Sequence, residues 1–402
     1  MTKKICIITQ SHLCHNPRVV KEAIALESAG YKVAIITGII SADLYQLDLE
    51  AIKNAPNICI EKVFDISVSS VHSFADRLLT KLGRLLIRTL KFETGQALGY
   101  GTTRYYKMAL ATKADLYICH QEFATYLGTK LLRKGLKVSF DFEDWYSEDL
   151  LPEARTERPI NLLRKAESTA LNKGTFCITT SNAMAAKLVA VYSSKQPDVI
   201  YNVFPSEDVI SKSHKVFTNP IKLFWFSQTI GPGRGLEQFI EMLKAIKTGL
   251  ELHLLGNVSE NYSEALISLL SGQHKLHFHQ LIEPNKLAAK IAQFDIGLAL
   301  ELDTPMSRNY TITNKFFQYV QSGLPVITSE TAGQNEAFEQ FKPGFKLSQQ
   351  PTAAQITALE NWLNNTDELQ AARNRAIEAA AFYNWENESK KLLALVKTAI
   401  EK

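Results

Sequence analysis

Residues 4–37, KICIITQSHLCHNPRVVKEAIALESAGYKVAIIT, decide the fold. The opening KICIITQ is a short apolar run, the mark of a buried strand. Asn16 is a good side-chain cap for a helix, and Pro17 suits the first helical position. The segment VVKEAIALESA then repeats its apolar residues at helical spacing, and Gly30 stops it. YKVAIIT returns as a second apolar strand. Strand, helix and strand in so short a span predict a parallel βαβ unit.

The same alternation continues outward. Strands are predicted at DLYIC (115–119), LKVSFDF (136–142) and TFCITT (175–180). Residues 203–220, VFPSEDVISKSHKVFTNP, are polar, carry proline at both ends and hold no period, so a linker is placed at 206–220. Beyond it IKLFWFS, ELHLLG, HKLHFHQ and DIGLALE alternate with helical patterns. The predicted fold class is α/β, with two Rossmann-like doubly wound parallel-sheet domains facing a cleft. The domains are residues 1–205 and 221–380, and 381–402 form a bracing helix. In such sheets ligands bind outside the carboxyl ends of the strands.

Composition narrows the function. The chain has 402 residues, 46% hydrophobic and 21% charged, as expected of an ordinary globular protein of two or three domains. A net charge of +4 argues against a nucleic-acid binder. The start MTKKICII reads as a first strand, not a signal peptide, and no apolar run is long enough to span a bilayer. Cys6, Cys14, Cys59, Cys119 and Cys177 form no CxxC pair, so reduced thiols in a cytoplasmic protein are expected.

Two loops are placed to meet a nucleotide. The first, TQSHLCHN (9–16), holds no glycine, which disfavours a dinucleotide site and hence an NAD-dependent dehydrogenase. The second, SQTIGPGRG (227–235), contains Gly231, Gly233 and Arg234 just ahead of a helix, so backbone amides and a guanidinium can meet a phosphate. A plain tight turn would use the same glycines. In NYTITNKFFQYVQSGLPVIT (309–328) Lys315 opens another helix. A cation there fits poorly with the helix dipole unless an external anion shares the site. Arg234 and Lys315 both follow strand ends, and a nucleotide diphosphate would serve both.

NPRVVKEAIALESAGYKVAIIT, FDFEDWYSE, ITTSNAMAAKL, VIYNVFP, the RGLE loop and TNKFFQYVQSGLPVITS occur in this order. The ordered set resembles the retaining glycosyltransferases of family 4, which have the GT-B fold, over nearly the whole chain. The resemblance implies transfer of a sugar from a nucleotide sugar, UDP- or GDP-linked, to a glycan or lipid-linked acceptor. It implies retention of anomeric configuration, no required metal or other cofactor, and a departing diphosphate that helps deprotonate the acceptor. A place in cell-surface polysaccharide or glycoconjugate synthesis would follow. By position Arg234 and Lys315 match the family's phosphate contacts, and Asn309, Thr313 and Asn314 lead into the same donor site. Gln318 falls where the family holds ribose with a glutamate, Tyr310 replaces that residue's partner acid, and Gln228 stands near a usual arginine. His120 matches a histidine near the reacting sugar, at the mouth of the cleft. Glu143 and Asp144 are candidate catalytic acids in a segment similar to the family's D-x-H-E. Asp141 and the loop residues His12, His15, Asn16 and Arg18 are assigned to the acceptor.

Other readings stay open. His120 could be a surface residue, and the acids after Asp141 could cap a helix starting near Tyr146. An epimerase of the same fold, or a non-catalytic two-lobed sugar or nucleotide binder, would show similar halves. Residues 74–91, FADRLLTKLGRLLIRTLK, place Arg77, Lys81, Arg84, Arg88 and Lys91 on one helical face beside leucines. Such a helix can lie on an anionic membrane surface on the cytoplasmic side, or turn its leucines inward as an ordinary solvated helix. His274, His277 and His279 lack a neighbouring acid or cysteine in the sequence and are read as an exposed edge, not a metal centre.

Overall fold

The computed structural model describes residues 2–206 and 215–401. Residues 207–214 of the expected linker lie outside the described residues. The chain forms two compact units, Met1–Ile200 with Ser389–Lys402, and Tyr201–Glu388. The last helix, Trp385–Glu401, therefore ends in the first unit, where Lys137 Nζ donates to the Ala399 carbonyl at 3.0 Å.

The first unit is built on β1 (Lys4–Ile8), β2 (Lys32–Ile39), β3 (Ile58–Asp65), β4 (Leu116–His120), β5 (Val138–Phe142), β6 (Cys177–Thr179) and β7 (Asp198–Val199), all parallel. Their order in the sheet is β3-β2-β1-β4-β5-β6-β7. Ile5, Ile7 and Ile8 are fully buried, the continuous apolar strand that a sheet covered on both faces requires. As expected, Asn16 caps the helix Pro17–Ser28, its Oδ1 accepting from Val19 N at 3.3 Å. The mixed polar run of β3 hid it from the sequence pattern, because an edge strand buries fewer of its residues. No cysteine pairs with another among the described residues.

The second unit repeats the plan with β8 (Ile221–Ile230), β9 (Leu250–Val258), β10 (Lys275–His279), β11 (Ile296–Ala299), β12 (Val326–Ser329) and β13 (Gly344–Leu347). The order is β10-β9-β8-β11-β12-β13, again parallel. In both sheets the order reverses once, between β1 and β4 and between β8 and β11. Loops leaving those strand pairs part to opposite sides and open a crevice at the carboxyl ends.

The helix Asn314–Gln321 is locked onto β11 by a contact only glycine allows. A Cβ on Gly297 would stand 2.1 Å from Cγ of the buried Tyr319 ring, whose hydroxyl donates to the Phe224 carbonyl at 3.0 Å. Gly297→Ala should destabilise the second unit by about 1–3 kcal/mol, the usual cost of overpacking. Gly272→Ala, where a Cβ meets nothing within 4 Å, should be neutral. Urea unfolding of both variants decides the point, and equal midpoints would refute the packing account.

Candidate functional site

At the reversal in the first unit a group of charged side chains is sealed inside the protein. Arg18, from the helix after β1, is 1% exposed; its Nε donates to Asp141 Oδ2 at 2.5 Å and its Nη1 to the Ile200 carbonyl at 3.0 Å. Asp141 pairs in register with His120 across β5 and β4. His120 Nε2 lies 3.1 Å from Glu22 Oε2, and its Nδ1 lies 3.1 Å from Glu143 Oε1. Burial alone would depress the imidazole's pKa, but Glu22, Glu143 and Asp141 outweigh it and raise it to about 10. His120 is thus an imidazolium at neutral pH. Burial also opposes ionisation of Asp141, yet Arg18 and His120 hold its carboxyl below the ordinary value. Removing one partner of such a buried set typically costs about 3–5 kcal/mol.

These contacts correct three expected roles. His120 does not stand at an open mouth; it is fully enclosed, and its carboxylate partner Glu143 lines a cavity. Arg18 and Asp141 are consumed by each other and cannot present themselves to an acceptor. A fourth correction concerns His12, which is 1% exposed with both ring nitrogens engaged. Its Nδ1 pairs with Asp48 Oδ2 at 2.6 Å, and its Nε2 accepts from the Ile40 and Ser41 amides at 3.0 and 3.1 Å. His12 therefore ties the loop to the segment after β2. His15 is exposed, while Asn16 is buried and donates through Nδ2 to Glu143 Oε1 at 2.9 Å.

No side-chain cap is seen on the element that follows Glu143 and Asp144, the 3-10 turn Tyr146–Glu148. Both acids line a cavity of about 450 Å³ with Gln10, Ser11, Gln121 and Arg84. Gln121 adopts a φ of 70°, rare outside glycine, directly after His120. Its side chain accepts from Thr9 Oγ1 at 3.1 Å and donates to Ser11 Oγ at 3.0 Å, and its amide donates to Tyr146 Oη at 3.1 Å. A strained residue held this firmly is characteristic of a functional site. No pattern in the sequence marks it.

In the second unit Gly233 and Gly235, with φ of 80° and 81°, turn the chain from β8 into the helix Leu236–Leu243. Between them Arg234 Nη1 meets Glu301 Oε2 at 2.7 Å, just beyond β11. Arg308 joins the same carboxylate at 3.6 Å and donates to the Gly233 carbonyl at 2.7 Å. Lys315 Nζ lies 4.9 Å from the buried Trp225 ring, a cation–π contact. Burial lowers Lys315 to about 8; Glu301 works against the shift, while Arg234 and Arg308 add to it. Arg234 and Arg308 thus meet one buried carboxylate that Lys315 also feels, beyond the carboxyl ends of the strands.

Arg308 and Glu301 escaped the sequence reading. Arg308 adjoins the polar stretch that includes Asn309 and was the one available signal for the missing charge near exposed Gln228. Thr313 opens the helix Asn314–Gln321 without a side-chain cap, and Asn314 is exposed. Asn309 has a structural bond, its Oδ1 accepting from the Ala332 amide at 3.1 Å. Gln318 lines a small cavity of about 70 Å³ with Pro284, Asn285 and Leu287. Among the described residues two groups could hold a metal, Glu22–His120–Asp141 and Glu251–His253–His277. Arg18 already neutralises the first.

Residues 234–394 match the family model described as "Glycosyl transferase-like". No curated protein sequence matches the chain significantly. Among solved structures, sucrose-phosphate synthase from Thermosynechococcus elongatus superposes with a TM-score of 0.73 at 14% identity, covering 98% of each chain. Anabaena HepE in complex with UDP-glucose gives 0.68 at 14% identity, covering 98% of this chain and 99% of that one. WaaG, a glycosyltransferase involved in lipopolysaccharide biosynthesis, gives 0.63 at 12% identity over 96% and 98%. The fold is therefore GT-B, two Rossmann-like parallel-sheet units as in these structures.

Proposed function

We propose that the protein is a retaining glycosyltransferase that moves a sugar from a nucleoside-diphosphate donor, held by the second unit, to an acceptor held by the first. The observation that carries this reading is the cluster of Arg234, Arg308 and Lys315 about Glu301. Arg234, Arg308 and Lys315 offer a diphosphate positive charge and hydrogen-bond donors side by side. The bond from the anomeric carbon to the diphosphate breaks as the bond to the acceptor oxygen forms. The negative charge that grows on the departing oxygen is what the three cations stabilise. The acceptor proton leaves to a diphosphate oxygen or to Glu143, whose Oε1 is held in place by His120 Nδ1 and the side-chain amide of Asn16. The chain's own cations would do the neutralising, so we assign no metal to the reaction.

The reading extends to the acceptor through the helix Val71–Leu90. It buries Ser73, Asp76, Thr80, Gly83 and Ile87, a stripe of mostly small or polar residues. Its apolar side points away: Phe74 is 67% exposed, and Leu78, Leu82 and Leu85 are exposed beside it. Among the described residues this overturns an inward-facing leucine stripe. Lys81, Arg84 and Arg88 flank those leucines, the arrangement of a helix lying in an anionic lipid interface. Arg84 also lines the cavity that holds Glu143. A lipid-linked acceptor at a cytoplasmic membrane surface, consumed in cell-surface glycan synthesis, suits this neighbourhood. No helix among the described residues is long and apolar enough to cross a membrane.

Donor binding is tested by thermal unfolding with UDP, GDP, CMP and ADP. A ligand at a hundred times its Kd should stabilise by about 2.7 kcal/mol. Alanine at Arg234, Arg308 or Lys315 should each weaken binding by about 1.5–3 kcal/mol, the worth of a hydrogen bond to a charged group. Affinity should also fall as pH rises through about 8, where Lys315 loses its proton, and Lys315→Arg should flatten that profile. No shift with any nucleotide, while the variants fold normally, would remove the donor site. Transfer itself is read by incubating the matching nucleotide sugar with and without a bacterial lipid extract. Release of nucleoside diphosphate should require the extract; isomerised nucleotide sugar formed without it would make the protein an epimerase instead.

Vesicle flotation tests the helix. The chain should float with phosphatidylglycerol-containing vesicles, lose them as salt rises, and ignore phosphatidylcholine. Each basic residue near the surface is worth about 1 kcal/mol. Leu78→Ser with Leu82→Ser and Leu85→Ser should abolish flotation. Unchanged flotation of that variant, or a wild-type dimer through the same face, would refute membrane docking.

A further inference from the structure

The edge of the second sheet carries a group of side chains with no place in the reaction. Glu251 and His253 project from β9, and His277 faces His253 in register from the edge strand β10. One ligand atom from each of the three falls within 4.8 Å of the others. His253 Nε2 and His277 Nε2 are both buried and without a hydrogen-bond partner. Buried polar atoms are seldom left this way, so two orphans beside a carboxylate ask for an explanation.

The surroundings already orient the rings. His253 Nδ1 lies 3.0 Å from His279 Nε2. With the proton of that bond on Nδ1, the lone pair of His253 Nε2 points to Glu251 Oε2, 3.6 Å away. Metal-binding histidines are commonly fixed by such a bond at their second nitrogen. Lys275 Nζ stands 3.7 Å from the other oxygen of Glu251, leaving Oε2 to the histidines.

We propose that Glu251, His253 and His277 bind a divalent transition metal of the zinc class, clamping β10 to β9. Two imidazoles and one carboxylate, with a fourth position for water, are a common donor set for zinc. The His253 and His277 rings stack with centroids 4.5 Å apart at 13°, so bond lengths of about 2.0–2.2 Å require the rings to turn out of that stack and draw the three donor atoms together. The group lies in the amino-terminal half of β9, while the glycine loop leaves the carboxyl end of β8. The ion's role is therefore to hold an edge strand that has a neighbour on one side only. It takes no part in donor chemistry, and the inference stands whether or not the protein is a transferase.

The acid joins the site from another strand, which is why the histidines of 274–279 looked unaccompanied in the sequence. His274 is not a ligand; its Nε2 bonds the Leu243 carbonyl at 2.8 Å.

The test uses the full chain without a histidine tag, stripped with chelator and titrated with Zn²⁺ against a chromophoric competitor. One ion per chain should bind and raise the melting temperature, and Co²⁺ should give the absorption of a tetrahedral site. His253→Ala with His277→Ala should remove all three signals. Glu251→Gln, the milder variant should the double one fail to fold, and His279→Phe should each weaken binding by about 10–100-fold. Absence of binding overturns the site. So does equal binding by the variants, which would place the ion on a thiol such as exposed Cys59.

Discussion

Two parallel sheets, each reversing its strand order once, impose the constraint from which the candidate site follows. Parallel neighbours need crossover helices, and helices leaving the two strands at a reversal depart on opposite faces. No connection can close the gap between those strand ends, so each reversal is a crevice. What fills the crevice is then a matter of charge. In the first unit Arg18, Glu22, His120 and Asp141 neutralise one another, and Glu143 alone among the histidine's carboxylate partners reaches a cavity. In the second unit Arg234, Arg308 and Lys315 gather about the single Glu301 carboxylate.

The two outcomes differ because burial differs. Arg18 and His120 are shut away from water, where an unpaired charge would cost several kcal/mol, so their partners are supplied from within. Arg234 keeps contact with solvent, and Lys315 rests on aromatic rings with no carboxylate at bonding distance among the described residues. An anionic ligand can complete what the chain does not. A closed network suits positioning, since it fixes Glu143 through His120. An open one suits binding.

The helix Val71–Leu90 reverses the ordinary economy of a surface helix. Serine, threonine and glycine pack inward, with Gly83 close enough to the Ala97 amide that a Cβ would fall 2.9 Å from it. The leucines are thereby turned outward.

Much of this could be read in the chain. Asn16, Pro17 and Gly30 marked the first βαβ unit because caps and breakers act through local backbone geometry. The glycine loop and Lys315 stood out for the same reason, being tied to helix starts. Glu301, Arg308, Gln121 and the pairing of Glu251 with His253 and His277 did not, because each gains its meaning from a residue on another strand. Periodicity showed the helix at 74–91 but could not say which stripe faces inward, since that depends on the surface it meets. His120 looked like an accessible acid or base and proved to be an enclosed cation. Local pattern determined which elements form and in what order, through forces that act over one or two turns. Tertiary packing decided which charges are neutralised and which stay open, because desolvation and pairing depend on neighbours remote in sequence.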